Sequence, residues 1–155
     1  MTKICGLVSS ERNPAIPELL DRMYAASWQT CHQHREVWSD DRAGMGHFNL
    51  GAVNTEKQPI VDPFSGARAV FCGKIFNYEE DRRKLQKEGT RFFLSGNDGE
   101  FLLHFVARSK CDALGRINGI FSLAVWNDMS RTLLLTGDRY GFRPLYYYHD
   151  VTRGL

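Results

Sequence analysis

Two apolar runs, Phe121 to Trp126 and Thr132 to Thr136, flank the polar tetrapeptide Asn127-Asp128-Met129-Ser130. Each run is short and bounded by turn-forming residues, which predicts a β-hairpin. A lone hairpin is barely stable in water, so the rest of the chain must add strands or a covering layer. Ile4 to Val8 is an apolar run ending in Ser9-Ser10 and reads as a buried strand. Gly44 to Val53 reads as a strand whose glycines admit a close neighbour. Pro59 to Val61 and Ala67 to Phe76 read as strands around the turn Pro63 to Gly66, and Leu145 to Tyr148 as a last aromatic strand.

Three stretches carry helical spacing. Asn13-Pro14 precedes Pro17 to Thr30, where Leu19, Leu20, Met23 and Trp28 share a face. Tyr78 to Glu88 is a charged helix closed by Gly89, with Asn77 as its cap and the Arg82-Arg83-Lys84 run on its solvated side. Gly96-Asn97-Asp98-Gly99 opens a third helix bearing Phe101, Leu102, Phe105 and Val106, with Asp98 as its cap. Gln33 to Arg42 is polar and predicts a loop. Antiparallel strands mixed with three helices place the chain in the α+β class. No repeat, low-complexity tract or linker divides it, so residues 1–155 form a single domain.

Composition removes several functions. A net charge of +2 with scattered basic residues gives no footprint for nucleic acid. Cys5, Cys31, Cys72 and Cys111 lack C-x-x-C spacing, so neither a metal knuckle nor a disulfide framework is expected. No stretch approaches the roughly 20 apolar residues of a membrane span, and the start is too short in apolar residues for a signal peptide. These features read as a reduced, cytoplasmic protein.

Five motifs follow in order: Cys5-Gly6; Gly46-His47-Phe48-Asn49-Leu50; Cys72-Gly73-Lys74-Ile75-Phe76-Asn77-Tyr78; Gly96-Asn97-Asp98-Gly99-Glu100; and Asp138-Arg139-Tyr140-Gly141-Phe142-Arg143-Pro144-Leu145. Together they resemble the glutamine-hydrolysing domain of the asparagine synthetase family, a class II glutamine amidotransferase. The resemblance implies the N-terminal-nucleophile hydrolase fold: a four-layer αββα sandwich, two antiparallel sheets between helical layers. It also implies a mechanism. An N-terminal cysteine thiolate attacks the glutamine side-chain amide, its own α-amine acts as base with a pKa of about 8, and a thioester then yields glutamate and ammonia.

The resemblance assigns roles residue by residue. Cys5 is the nucleophile, which requires loss of Met1 to Ile4, because an acylated nitrogen is not a base. Removing Met1 alone exposes Thr2, three residues out of place. Gly73 supplies an oxyanion-hole N–H. Cys72 replaces the family's asparagine with a weak S–H donor, and losing one such donor typically costs about 10² to 10³ in rate. Asn49 replaces the arginine that pairs with the glutamine carboxylate, beside the retained His47. Lys74 replaces a glutamate near the substrate ammonium, which Asp98 binds. Arg35, after His34, matches the arginine of a pocket-covering loop. The closing motif is structural: an ion pair, a glycine turn and a strand start.

No cofactor is expected in this domain; ATP and magnesium belong to a synthetase domain that would use the ammonia. The expected partners are glutamine or a related amide and an asparagine-synthetase-type C-terminal domain, with neither nucleic acid nor membrane; a homodimer is an admissible assembly. The chain reads as the N-terminal part of a longer protein. Asn49, Cys72 and Lys74 support an alternative, in which the module keeps the fold for docking and has lost catalysis.

Overall fold

A computed structural model describes residues 2–27, 34–49, 56–94, 96–108 and 111–150, the last segment without side-chain detail at 111–113. Trp28, Cys31, and the ends of the expected helix at Thr30 and strand at Val53 lie outside the described residues.

The chain opens with strand β1 (Lys3–Val8) and helix α1 (Ile16–Ser27). Strands β2 (His34–Ser39) and β3 (Ala43–Asn49) follow, then β4 (Ile60–Val61) and β5 (Arg68–Ile75). Helices α2 (Glu79–Lys87) and α3 (Asp98–Arg108) precede a short 3-10 helix (Cys111–Arg116) and the hairpin β6 (Gly119–Asn127) and β7 (Thr132–Gly137). The strands form two wholly antiparallel sheets, ordered β1-β3-β2 and β4-β5-β6-β7.

Side-chain alternation stacks these sheets. On β5 and β6, Ala69, Phe71, Phe121, Leu123 and Val125 join Phe101, Leu102 and Phe105 of α3 in the larger core. The opposite faces of the same strands send Val70 and Trp126 into a second core with Ala43 and Met45 of β3, and Ile4 and Val8 of β1 pack against it. That second core is the seam between the sheets. On the far side of the first sheet lies α1, whose Ile16 and Leu20 are buried. The order α1, sheet, sheet, α2 and α3 is the αββα sandwich, α+β in class.

Two expectations are corrected. Gln33 to Arg42 is not a loop throughout: His34–Ser39 is β2, an edge strand, where charge is tolerated because only one side is paired. Leu145 to Tyr148 is not a strand, and Tyr146, Tyr147 and Tyr148 are each more than 80% exposed. Three consecutive exposed rings bury neither face, so hydrophobicity has nothing to drive that segment into a sheet.

Candidate functional site

Strand parity decides which residues can meet. Ile4 and Val8 point into the seam, so Cys5 and Leu7 point the other way, toward α1. The contacts agree. A Cβ placed on Gly46 would stand 3.2 Å from the Cys5 sulfur and 2.9 Å from the Phe48 ring, and Phe48 packs on Tyr24 of α1 with centroids 4.7 Å apart. Burial raises the Cys5 thiol pKa to about 11, against a smaller opposing pull from Arg35. Gly6 is required by packing, because a Cβ there would lie 2.7 Å from the Gly44 carbonyl oxygen. Arg35 shares the α1 side: it pairs with Asp21 and stacks on Tyr24 at 4.7 Å.

The residue that meets the Cys72 segment is Thr2. Its carbonyl accepts from the Cys72 S–H at 3.0 Å and from Arg143 Nη1 at 3.1 Å. Arg143 also donates to the Cys72 sulfur at 2.9 Å. Burial pushes the Cys72 thiol up, with Arg143 opposing, so it is a neutral donor. Gly73 beside it has φ +140° and would drive a Cβ to 2.0 Å from the Ile120 carbonyl oxygen. Only glycine fits there, which lets its backbone lie close against β6.

Arg143 is held by its own motif. The Asp138 carboxylate accepts N–H groups of Tyr140, Phe142 and Arg143 at 3.0–3.1 Å, closing a loop through Gly141 at φ +66°. The Arg143 carbonyl accepts from the Ser122 hydroxyl at 2.8 Å. The glycine turn is as expected. The expected ion pair is replaced by these backbone bonds, which hold the Asp138 carboxyl below its usual range despite its desolvation.

Asp98 is fully buried at the start of α3. One oxygen accepts from Lys74 Nζ at 3.1 Å and the other from the Ile75 N–H at 2.9 Å. Its expected capping role belongs to Asn97, whose side-chain oxygen accepts the Glu100 N–H at 2.9 Å. Asn77 likewise caps no helix: it accepts from the Asn118 N–H and donates to the Arg116 carbonyl.

His47 is buried in the seam. Its Nδ1 lies 3.0 Å from Glu36 Oε2 and its Nε2 lies 3.3 Å from Gln58 Nε2. Gln58 takes the Phe71 N–H at 2.7 Å and returns a bond to the Phe71 carbonyl at 3.1 Å. Its amide orientation is therefore fixed with nitrogen toward His47, so Nε2 accepts and Nδ1 carries the proton to Glu36. Burial lowers the His47 pKa more than Glu36 raises it, in keeping with a neutral ring. The Asn49 side-chain amide lies 3.3 Å from His47 Nδ1.

The structure thus pairs Lys74 of β5 with Asp98 of α3, two residues along the strand from Cys72, and His47 with Asn49 in the seam. It turns Cys5 and Arg35 toward α1. Sequence reasoning assigns no role to Glu36 and Gln58, sets Thr2 aside as out of place and reads Arg143 as structural. A sequence signal for Thr2 existed: it shares period-2 parity with Ile4 and Val8, whereas Cys5 does not. Among the described residues, no cluster of three His, Cys, Asp or Glu side chains is placed to hold a metal ion.

A family profile described as a glutamine amidotransferase domain matches residues 1–155. The chain is 29% identical over 134 residues to a glutamine-hydrolysing asparagine synthetase 3 of Bacillus subtilis (strain 168), covering 84% of this chain and 22% of that protein. It is 31% identical over 110 residues to the asparagine synthetase 1 of the same organism, covering 70% and 17%. A solved glutamine phosphoribosylpyrophosphate amidotransferase from B. subtilis superposes with a TM-score of 0.49 at 17% identity, covering 64% of this chain and 24% of that one. The chain spans about a fifth of the length of the curated relatives it matches.

Proposed function

The chain belongs to the glutamine amidotransferase domain family, and from that premise we propose that it hydrolyses the side-chain amide of glutamine, or of a related amide, to a carboxylate and ammonia. The observation that carries this reading is the contact between the head of β1 and the Cys72 segment, 3.0 Å from the Thr2 oxygen to the Cys72 sulfur. An N-terminal nucleophile needs its terminus beside donors that can stabilise an oxyanion. Gly73 offers a backbone N–H at that place, and the Cys72 S–H, given to the Thr2 carbonyl, holds the head of the strand beside it. Two residues can become the terminus: Cys5, as the sequence motif suggests, by cleavage after Ile4, and Thr2, by cleavage after Met1. Asn49, placed beside His47, is assigned to the substrate carboxylate and Asp98 to its ammonium. Arg35 is assigned to the outer wall beside α1.

The ammonia serves a synthetase domain of a longer protein, which would bring ATP and magnesium; the relatives' greater length supports this. The test is glutamate release from glutamine by the chain with a freed terminus. Release supports hydrolysis. No release from either terminus overturns it and leaves the non-catalytic docking role.

Lys74 favours a second reading. Its ammonium already occupies Asp98 at 3.1 Å, so a substrate without an amino group would not have to displace it. The assay therefore includes the glutamine analogue lacking the α-amino group. Faster turnover of the analogue supports this reading, and preference for glutamine overturns it. If Asp98 holds the glutamine ammonium, Lys74→Gln lowers KM for glutamine with a smaller change in kcat; an unchanged KM refutes that role for Asp98.

A further inference from the structure

We infer that Thr2, freed by hydrolysis of the Met1–Thr2 bond, is the nucleophile of this chain, positioned through its carbonyl by Cys72 and Arg143. The inference rests on the amide-hydrolysis reading and names the residue that performs it. Four observations support Thr2 over Cys5. Thr2 is the residue of the β1 segment that touches the Cys72 and Arg143 donors. Cys5 points to the opposite face of the sheet, against Gly46 and Phe48. Cutting after Ile4 would delete the Lys3–Phe48 and Ile4–His47 rungs and remove Ile4 from the seam core, whereas cutting after Met1 leaves every rung among the described residues in place. Finally, the carbonyl of Thr2 carries its hydrogen bonds, and no described residue bonds its hydroxyl.

The chemistry balances. The Thr2 hydroxyl oxygen forms a bond to the substrate amide carbon while its proton passes to the free α-amine of Thr2. That amine is suited to the task, with an ordinary pKa of about 8. The tetrahedral oxyanion faces the Gly73 N–H. The C–N bond breaks, the α-ammonium returns the proton to the departing nitrogen, and ammonia leaves behind an ester on Thr2. Water then adds to the ester carbon, giving up a proton to the amine. The carboxylate departs and the Thr2 oxygen is reprotonated. Overall, one water and one amide become one carboxylic acid and one ammonia, which at neutral pH exchange a proton to give carboxylate and ammonium.

The experiment compares three preparations of the full chain: retaining Met1, beginning at Thr2, and beginning at Cys5, the last two released from a cleavable fusion. Each is assayed for glutamate release. Each is also treated with a glutamine-shaped epoxyketone, a reagent that captures the hydroxyl and amine of an N-terminal threonine together, and the adduct is located by peptide mass. The expected result is activity and a Thr2 adduct in the preparation beginning at Thr2 alone. Thr2→Ala at that terminus should lose roughly 10³-fold or more in rate, and Thr2→Ser should retain activity and adduct, which separates chemistry from folding. Activity confined to the preparation beginning at Cys5, with the adduct on Cys5, overturns Thr2 while upholding amide hydrolysis. A Thr2 adduct without glutamate release upholds Thr2 and overturns glutamine as the substrate. No adduct on a free Thr2 overturns the inference.

Discussion

Gly73 and His47 show how much single positions carry here. Gly73 combines φ +140° with a Cβ position 2.0 Å from the Ile120 carbonyl oxygen. Gly73→Ala therefore meets both left-handed strain and a clash with backbone that cannot rotate away. Together these should cost about 3 kcal/mol. Chemical denaturation should show a lower midpoint with an unchanged slope, and a variant as stable as the parent would refute the packing argument. His47 gives a pH signature. Its pKa is lowered in the folded state, chiefly by burial, so between that value and about 6.5 the unfolded chain binds more protons. Its contribution to stability is then complete above pH 6.5 and declines as the pH falls below it. The melting temperature should drop from pH 7.5 to 5.5, and less steeply in His47→Asn. His104, also lowered by burial, will leave a residual slope. The carboxyls of Asp62 and Asp138, held low by hydrogen bonds, act only in a separate window below about pH 4.

At the scale of elements, legibility followed burial. β5, β6, α1 and α3 were readable because each turns an apolar face to a core, and that periodicity is written in the residues; α2, with Leu85 its one buried residue, and β7, with none, were readable from the closing Gly89 and the hairpin turn. β2 was not readable, because it is a half-exposed edge strand whose Glu36 and Arg35 look like loop residues until β3 is placed beside them. The tyrosines near the end looked like a strand by composition and are exposed. The candidate site was legible in its motifs but not in its geometry: Cys5-Gly6 caught the eye, yet the pleat sends Cys5 to α1 and Thr2 to Cys72. Cap chemistry shifted by one residue at α3 for a similar reason, since Asn97 and Asp98 are both good caps by type and only the fold assigns them. Asn97 accepts the Glu100 N–H and donates to Glu56 at 2.8 Å, while buried Glu100 accepts the N–H groups of Phe93 and Leu94. Asn97→Ala should cost about 1 kcal/mol, and Asn97→Ser, which keeps a cap acceptor without the donor to Glu56, should recover most of it; equal losses in both would place the effect in the Glu56 contact.

For the whole molecule, the question is what keeps two sheets in register across a seam with a small apolar core. Val70, Trp126, Ala43 and Met45 fill part of it. The remainder is polar, and there Gln58 spans the gap. It bonds both backbone groups of Phe71 on β5, meets His47 of β3, and through its own N–H reaches Glu36 of β2 at 3.2 Å. Gln58 is fully buried, so truncation cannot be made good by bulk water. Gln58→Ala strands the Phe71 N–H and carbonyl and the His47 nitrogen in a low-dielectric seam, at a cost of about 3 kcal/mol from these orphaned groups. The loss should depend on His47, because the two side chains belong to one network. In a double-mutant cycle with His47→Ala, the combined loss should fall short of the sum of the single losses by about 1 kcal/mol. Strict additivity would mean that the sheets are held by the apolar core alone and that the Glu36–His47–Gln58 chain is incidental. A clear coupling would identify that chain as the element fixing the distance between β3 and β5, and with it the position of Thr2 over Cys72.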